Sequence, residues 1–295
     1  MQWIWQKFGD DKFSPPDVSG WFDNFDRART GLPIKLPVST EVFAREFVQN
    51  YVDASENQNA SKKPKKLIFH FLRFTGDEAS EVRSRLGLDS IRQRYTELDD
   101  SQKMDMKLDE TNGVISEQID EFRLLIAVES GTCGMYGQFE LSDKVHDSQG
   151  RIISTRMRDA LLDTNRDNVA SSRGYGSFGQ GKNAIIGASR VRTLLTYTAF
   201  DPETNEDGVS ARLLGTTYWK NHSVNELRYS GLAWIGGQER QDGKVSPVPL
   251  EDEEAHSFVR ALNIPNFNDR DVSGDSDFGT STIIVDPDID PHALA

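Results

Sequence analysis

The sequence predicts an α+β fold in which helices form a layer on a mixed, mostly antiparallel β-sheet. Apolar runs of strand length recur along the chain, and turn signals such as Asp201-Pro202 and Asp207-Gly208 separate some of them. A few segments with helical periodicity stand among strands whose spacing is typical of antiparallel neighbours. The composition, with 36% hydrophobic and 27% charged residues, is that of a soluble globular chain.

Charge, cysteine content and hydropathy exclude several classes of protein. The net charge of −13 argues against direct, nonspecific binding of nucleic acid, because that affinity comes mainly from cationic residues. The single cysteine, Cys133, excludes an internal disulfide framework and a cysteine-rich zinc site. No apolar run approaches membrane-spanning length and the N-terminus has no signal-peptide layout, so we expect a cytoplasmic protein with no membrane partner.

Residues 1–38 are predicted to be an aromatic N-terminal arm on the main domain, residues 39–290. The arm contains Gly, Asp and Pro throughout, which favours an irregular or short-strand segment. Its aromatic residues would attach it to the domain: Trp3, Trp5, Phe8, Phe13, Trp21, Phe22 and Phe25.

The first helix is predicted over residues 39–56. Pro37 precedes it, Ser39 can cap it, and Glu41 lies near the positive end of the helix dipole. One stripe of the helix is apolar and can face a core; it consists of Phe43, Phe47, Tyr51 and Ala54.

A second stripe of this helix carries Glu46, Asn50 and Asp53 at positions i, i+4 and i+7, on one side of the helix. Asn is a poor helix former and gains little in mid-helix unless its side chain has a function there. Two interpretations stay open for the stripe taken alone: a solvated polar face, or a row of groups that act together in chemistry.

The middle of the chain contains one strand and a charged insertion. The strand is predicted over residues 67–74, after a lysine-rich loop that we interpret as solvated surface. Segment 76–120 is predicted to be the insertion, with a helix over 81–98 and an exposed connection over 99–112.

Two glycine segments mark the second half of the chain. An apolar strand predicted over 122–128 leads directly into the first segment, residues 129–135 (ESGTCGM). The second segment, residues 176–183 (GSFGQGKN), precedes a small-residue helix predicted over 184–189. Further elements are predicted as helices over 153–162 and 251–262 and as strands over 191–200, 211–219, 228–235 and 280–285.

The second glycine segment admits a phosphate-loop interpretation, because Gly176 to Lys182 satisfies G-x-x-x-x-G-K. Two features disfavour it. Asn183 stands where that loop needs a Ser or Thr hydroxyl for magnesium, and residues 165–172 are not the buried strand from which the loop must start.

Four elements, taken in order, resemble the motifs of the GHKL ATPases, the family of gyrase-type topoisomerases, heat-shock chaperone ATPases, sensor histidine kinases and MutL-type repair proteins. They are Glu-x-x-x-Asn-x-x-Asp-Ala at 46–54, Glu-x-Gly-x-x-Gly-Met at 129–135, Gly-x-Phe-Gly-x-Gly at 176–181, and Gly-Thr at 279–280. Each motif is short and occurs by chance in other proteins, whereas the ordered set is specific.

This resemblance implies a Bergerat-type two-layer sandwich, with helices covering one face of the sheet and an ATP lid over about 138–182. Segments 76–120 and 200–250 would be elaborations of that fold. The resemblance also implies that the chain is the N-terminal part of a longer protein, because the gyrase, chaperone and MutL members continue into a domain that supplies a catalytic lysine.

The resemblance assigns a role to each candidate site residue. Glu46 would be the general base that activates water, and Asn50 would bind a magnesium ion together with the triphosphate of ATP. Asp53 would support the site one turn later. Glu129 would accept a hydrogen bond from the adenine amine, where the family usually has an aspartate. The other nucleotide-binding residues would be Gly131, Gly134, Met135, Gly176, Gly179, Gly181, Lys182 and Thr280.

The function implied by the resemblance is magnesium-dependent ATP binding and hydrolysis, with nucleotide-driven lid closure and homodimerisation. The motif sequences look like those of bacterial GHKL proteins found beside mobile-element and phage-defence genes, which suggests antiviral defence and partners among defence-system proteins. Two alternatives stay open: a nucleotide-gated binding or signalling module with little turnover, and a histidine-kinase-like phosphotransfer domain. The carboxylate of Glu46 and the lack of any histidine before His70 favour hydrolysis over phosphotransfer.

Overall fold

A computed structural model of the chain describes residues 2–8, 40–106, 108, 114–116, 121–139, 156–162, 180–205, 207–241, 244–272 and 277–294. Its strands are β1 (Ile4–Lys7), β2 (Lys66–Thr75), β3 (Glu121–Ser130), β4 (Thr193–Ala199), β5 (Ala211–Tyr218), β6 (His222–Val224), β7 (Leu227–Ile235), β8 (Gly237–Gln241), β9 (Lys244–Val248), β10 (Leu250–Glu251) and β11 (Gly279–Val285). Its α-helices are α1 (Thr40–Ser55), α2 (Gly76–Arg85), α3 (Leu88–Thr96), α4 (Asp100–Met106), α5 (Arg156–Leu161), α6 (Gln180–Gly187), α7 (Asp252–Leu262) and α8 (Pro291–Leu294).

The structure confirms the predicted α+β class. The main sheet has the strand order β1-β7-β5-β4-β11-β3-β2, while β6 pairs with β7 and β10 pairs with β5. Every pairing between the described strands is antiparallel. The last strand, β11, therefore lies in the middle of the sheet, between β4 and β3.

Helices pack on both faces of this sheet. Successive residues of a strand point to opposite faces, and Leu125 and Ile284 pack on the side of α1 and α6. Their neighbours Ile126 and Ile283 pack on the side of α2, α3 and α7. We call these sides the α1 face and the α2 face. The α1 face carries the helix layer that the sequence predicts, and the α2 face carries a second layer in addition.

Aromatic packing holds α1 on its face. Phe43 and Phe47 are buried, with ring centroids 4.8 Å apart, and both contact Phe69 of β2 at 6.0 and 5.6 Å. Val48, on the opposite side of the helix, is exposed. The predicted apolar stripe is therefore the side that packs against the sheet.

The helix predicted over residues 81–98 is two helices, α2 and α3. Gly87, between them, has φ of 67°, a left-handed conformation that ends one helix before the next begins. Leu86 and Leu88 on either side are buried, because both helices contribute to the core of the α2 face.

The exposed connection predicted over 99–112 is wrong in part, because it contains α4. The Asp99 carboxylate accepts a hydrogen bond from the Gln102 N–H at 2.8 Å, and the Gln102 side chain accepts from the Asp99 N–H at 3.2 Å. This reciprocal capping box starts the helix, and Met106 at its end is buried in the core.

The described part of the N-terminal arm includes an edge strand. β1 pairs with β7, and the indole Nε1 of Trp3 donates to the carbonyl of Leu86 at 3.2 Å. Residues 9–38 of the arm, and Ser39 after it, lie outside the described residues. None of the described helices is long and apolar enough to cross a lipid bilayer.

Replacing Phe43 by Ala tests how far aromatic packing holds α1. The side chain is fully buried, so its removal should lower the free energy of unfolding by about 3–5 kcal/mol. Val48→Ala in the same helix removes an exposed side chain and should change it by less than about 0.5 kcal/mol. Urea unfolding measures both, and equal losses would contradict the packing described for α1.

Candidate functional site

The polar stripe of α1 is divided between a buried and an exposed part. Glu46 is 6% exposed, and its Oε1 lies 4.0 Å from Nη2 of Arg45. Asn50 and Asp53 are exposed. The pKa of the Asp53 carboxyl is nevertheless raised, first by partial loss of contact with water and then by the negative charge of Glu56. Because Asn50 is exposed on the surface of α1, its carboxamide can be reached from solvent.

The C-terminal end of α1 is bonded directly to the first glycine segment. The Ala54 carbonyl, one of the helix-end carbonyls without an intrahelical partner, accepts a hydrogen bond from the Cys133 N–H at 3.1 Å. The next residue towards the strand, Thr132, donates to the carbonyl of Phe278, just before β11, and accepts from Ser61 in the loop after α1. The turn thus joins α1 to the centre of the sheet.

Glycine is required at two positions of this turn. Gly131 and Gly134 have φ of 70° and 61°. A Cβ atom at Gly131 would lie 2.7 Å from the carbonyl oxygen of Lys63, and one at Gly134 would overlap the carbonyl oxygen of Ala199. Both glycines therefore allow other backbone segments to approach the turn closely.

Three polar side chains lie side by side on the α1 face where this turn begins. Thr280 of β11 is paired with Thr198 of β4, and their Oγ1 atoms are 3.2 Å apart. On the other side of β11, the backbone oxygen of Glu129 lies against Gly279. The Thr198 hydroxyl also accepts a hydrogen bond from the Met135 N–H at 2.8 Å. Strand alternation places the side chains of Glu129, Thr198 and Thr280 on the same face as α1.

Burial raises the pKa of the Glu129 carboxyl to about 7, against the lowering effect of the Arg270 charge. Arg270 is itself buried. Its Nη2 donates to the Glu129 carbonyl at 2.6 Å and to the Ser281 hydroxyl at 2.9 Å, and its backbone N–H donates to the Tyr197 hydroxyl at 3.0 Å. Arg270 therefore fixes the backbone that carries Glu129 while it favours ionisation of the carboxyl.

A second arginine connects the turn to α1. The Arg156 guanidinium of α5 lies 4.4 Å above the ring of Tyr136 and donates from Nη1 to Sγ of Cys133 at 3.2 Å. Its charge also lowers the pKa of the Asp53 carboxyl, against the larger effect of burial. Arg156 thus places a cation between the exposed end of the α1 polar stripe and the turn.

The second glycine segment lies largely outside the described residues. Gly176 and Gly179 are among those not described, as is most of the predicted lid, 138–182. The backbone of Gly181 and Lys182 belongs to the first turn of α6, and the side chain of Lys182 is not described. The later part of α6 packs against α1 through Ala184 and Ile186.

The structure thus brings together some of the predicted site residues and adds others. Glu129, Gly131, Gly134, Met135 and Thr280 form one connected group next to the C-terminal end of α1. Glu46, Asn50 and Asp53 stand on that helix without a described hydrogen bond to the group. Sequence analysis missed Tyr136, Arg156, Thr198 and Arg270. Only Tyr136, which follows the 129–135 turn directly, carried a local signal.

A separate cavity of about 540 Å³ lies at the α2 face, between α2 and the end of α7. None of the candidate site residues lines it. Within the described parts of the chain, no three His, Cys, Asp or Glu side chains are grouped so that they could hold a metal ion.

Comparison of the chain with protein-family models, curated proteins and solved structures finds no significant match to any of them. Functional inference therefore rests on the residues and their geometry.

Replacing Gly134 by Ala tests the close approach of the turn to β4. Gly208 is a matched control, because it also has positive φ but an added Cβ would meet nothing within 4 Å. We expect Gly208→Ala to cost about 1–2 kcal/mol for its backbone conformation. Gly134→Ala should cost about 1–3 kcal/mol more because of the overlap with Ala199. Urea unfolding of both variants provides the comparison, and equal costs would contradict the close approach.

The raised pKa of Glu129 predicts a pH-dependent effect of Glu129→Gln. Below the ordinary pKa of 4.5 the Glu129 carboxyl is protonated, so no charge is buried on folding. The unfolding free energies of wild type and variant should therefore differ least there. Between about pH 4.5 and 7 the folded protein keeps the Glu129 proton that the unfolded chain releases, so the wild type loses stability relative to the variant over this range. Above about 7 the carboxyl is ionised in both states and the difference stays constant. The difference should reach the order of 3 kcal/mol above pH 7. Unfolding free energies measured from pH 4 to 8 that run parallel would contradict it.

Proposed function

We propose that this chain is a magnesium-dependent ATPase of the GHKL type. The observation that carries the proposal is the junction at which the Ala54 carbonyl of α1 meets the Cys133 N–H of the first glycine turn. Three motifs that are far apart in sequence, at 46–54, 129–135 and 279–280, come together around this bond. Such convergence is what a site assembled from these motifs requires.

The adenine would lie on the α1 face over the ends of β3, β11 and β4. Glu129 would accept a hydrogen bond from the exocyclic amine of the base, and the hydroxyls of Thr280 and Thr198 would bond to the base directly or through water. The ionised form of Glu129 is the acceptor, and the charge of Arg270 favours that form. Gly131 and Gly134 would allow the backbone of the turn to approach the base and sugar.

The triphosphate would extend along the polar stripe of α1. Asn50 is exposed and its carboxamide can be reached from solvent, which fits a magnesium ion held by one protein ligand, phosphate oxygens and water. Bound magnesium would neutralise charge on the β- and γ-phosphates. Glu46, one turn earlier and buried, would take the proton of the attacking water. The N–H groups at the start of α6 and the charge of Lys182 would face the phosphates.

The proposal includes closure of the 138–182 lid on ATP and nucleotide-driven homodimerisation. A role in antiviral defence, with other defence-system proteins as partners and in the cytoplasm, extends the same proposal. These parts rest on the resemblance of the motifs, since most of the lid lies outside the described residues.

Two substitutions on α1 should separate binding from hydrolysis. Glu46→Gln removes the base but keeps the shape, so ATP affinity should stay within about twofold while turnover falls about 10²-fold or more. Asn50→Ala removes the metal ligand, so magnesium-dependent ATP binding should be lost while the weaker binding without magnesium stays unchanged. Isothermal calorimetry measures affinity, and phosphate release measures turnover.

Val48→Ala, on the exposed opposite side of α1, is the matched control and should behave as wild type in both assays. Equal turnover in wild type and Glu46→Gln would contradict the assignment of the base and favour a binding module. ATP affinity that does not depend on Asn50 would contradict the metal site. No affinity for ATP in the wild type would contradict the whole proposal.

A further inference from the structure

The long outer edge of β2 is the feature that the proposed function leaves unexplained. Among the strands that the structure describes, β2 forms one edge of the main sheet and pairs with β3 alone, over all of residues 66–75 and without a register shift. The opposite edge, β1, has only four residues and an irregular register between Trp5 and Lys7. Protein sheets usually protect an edge with short strands, bulges, prolines or central charges.

β2 has none of these protections in its centre. Residues 67–72 (LIFHFL) contain no proline and no acidic or basic residue other than His70. Ile68 is 43% exposed and Phe71 is 36% exposed, on opposite faces of the strand. Lys66 and Arg73 bear the only charges of the strand outside its centre, one near each end. Such an edge is suited to pairing with another strand.

We propose that β2 pairs with β2 of a second copy of this chain, antiparallel and centred on His70, so that the two main sheets become continuous. A two-fold axis perpendicular to the sheet keeps each side chain on its own face. One residue of β2 must then lie directly opposite its own copy, with the axis midway between the two. With His70 there, Ile68 lies opposite the second copy's Leu72, and Phe71 lies opposite the second copy's Phe69.

This register covers the exposed apolar side chains of β2 and keeps the positive charges of the two copies apart. Each exposed side chain, Ile68 or Phe71, meets a half-buried apolar residue of the other copy. Arg73 lies opposite Leu67, and Lys66 lies opposite Phe74, so no like charges face each other. Centring the pair on Phe69 instead would place Arg73 opposite Lys65, a like-charge pair that destabilises strand pairing.

The dimer formed in this way does not require a nucleotide, which distinguishes it from the dimerisation in the proposed function. Sedimentation of the full chain without ATP should show a dimer at concentrations up to about 100 µM, since an interface of this size is expected to have micromolar affinity. Ile68→Glu should shift the chain to monomer. Met104→Glu, at a residue that is 78% exposed on α4, should leave the dimer unchanged.

A cysteine scan tests the register. Residues opposite each other in an antiparallel pair have Cα atoms about 4.5–5.5 Å apart, within disulfide range. His70→Cys should therefore cross-link two copies under mild oxidation. Ile68→Cys should not, because the two positions would be about 13 Å apart along the strands. The native Cys133 is buried and gives little background.

A wild-type monomer at all concentrations without ATP would overturn the proposal, whether or not ATP induces a dimer. A dimer that survives Ile68→Glu, or that cross-links equally through both cysteines, would overturn it as well. Loss of ATPase activity alone would bear on the proposed function and not on the β2 pairing.

Discussion

The hydrogen bond between the Ala54 carbonyl and the Cys133 N–H is the contact on which the candidate site depends. A helix end has carbonyls without intrahelical partners, and a buried one must find a donor. Here a turn that leaves the sheet between Gly131 and Gly134 supplies that donor. One bond therefore completes α1 and also places its polar stripe beside the ends of the central strands.

Burial and a nearby positive charge shift the pKa of the Glu129 carboxyl in opposite directions. Glu129 is buried on the α1 face, while Arg270 supports its backbone from the α2 face and is itself buried. Burial alone would keep the carboxyl protonated near neutral pH, and the arginine shifts it towards the ionised form that accepts hydrogen bonds. A group balanced in this way responds to whatever donor is brought next to it, which is a common property of binding sites.

Local signals in the sequence predicted the elements well where a single segment decided the outcome. The apolar stripe of α1 and the strands β3 and β11 follow from periodicity and composition alone. The break between α2 and α3 depends on the left-handed backbone conformation of Gly87. The start of α4 could have been predicted, because Asp99 and Gln102 have the spacing of a capping box. Thr198 and Arg270 could not be found from local signals. The place of Thr198 depends on strand register, and that of Arg270 on hydrogen bonds to residues far away in the sequence. The resemblance that supplied the roles of Glu46 and Asn50 stays a prediction.

The central position of β11 has a consequence for biosynthesis. β3 and β4 each pair with β11, which lies between them, so neither pairing can form until residues 279–285 have been made. Until then, the edges of β3 and β4 that face β11 stay unpaired in a nascent chain on the ribosome. The β3–β11 pairing joins residues more than 150 positions apart, roughly half the length of the chain. Such a chain folds late and is exposed to aggregation while it waits, so chaperones that shield open strands during translation would determine its yield.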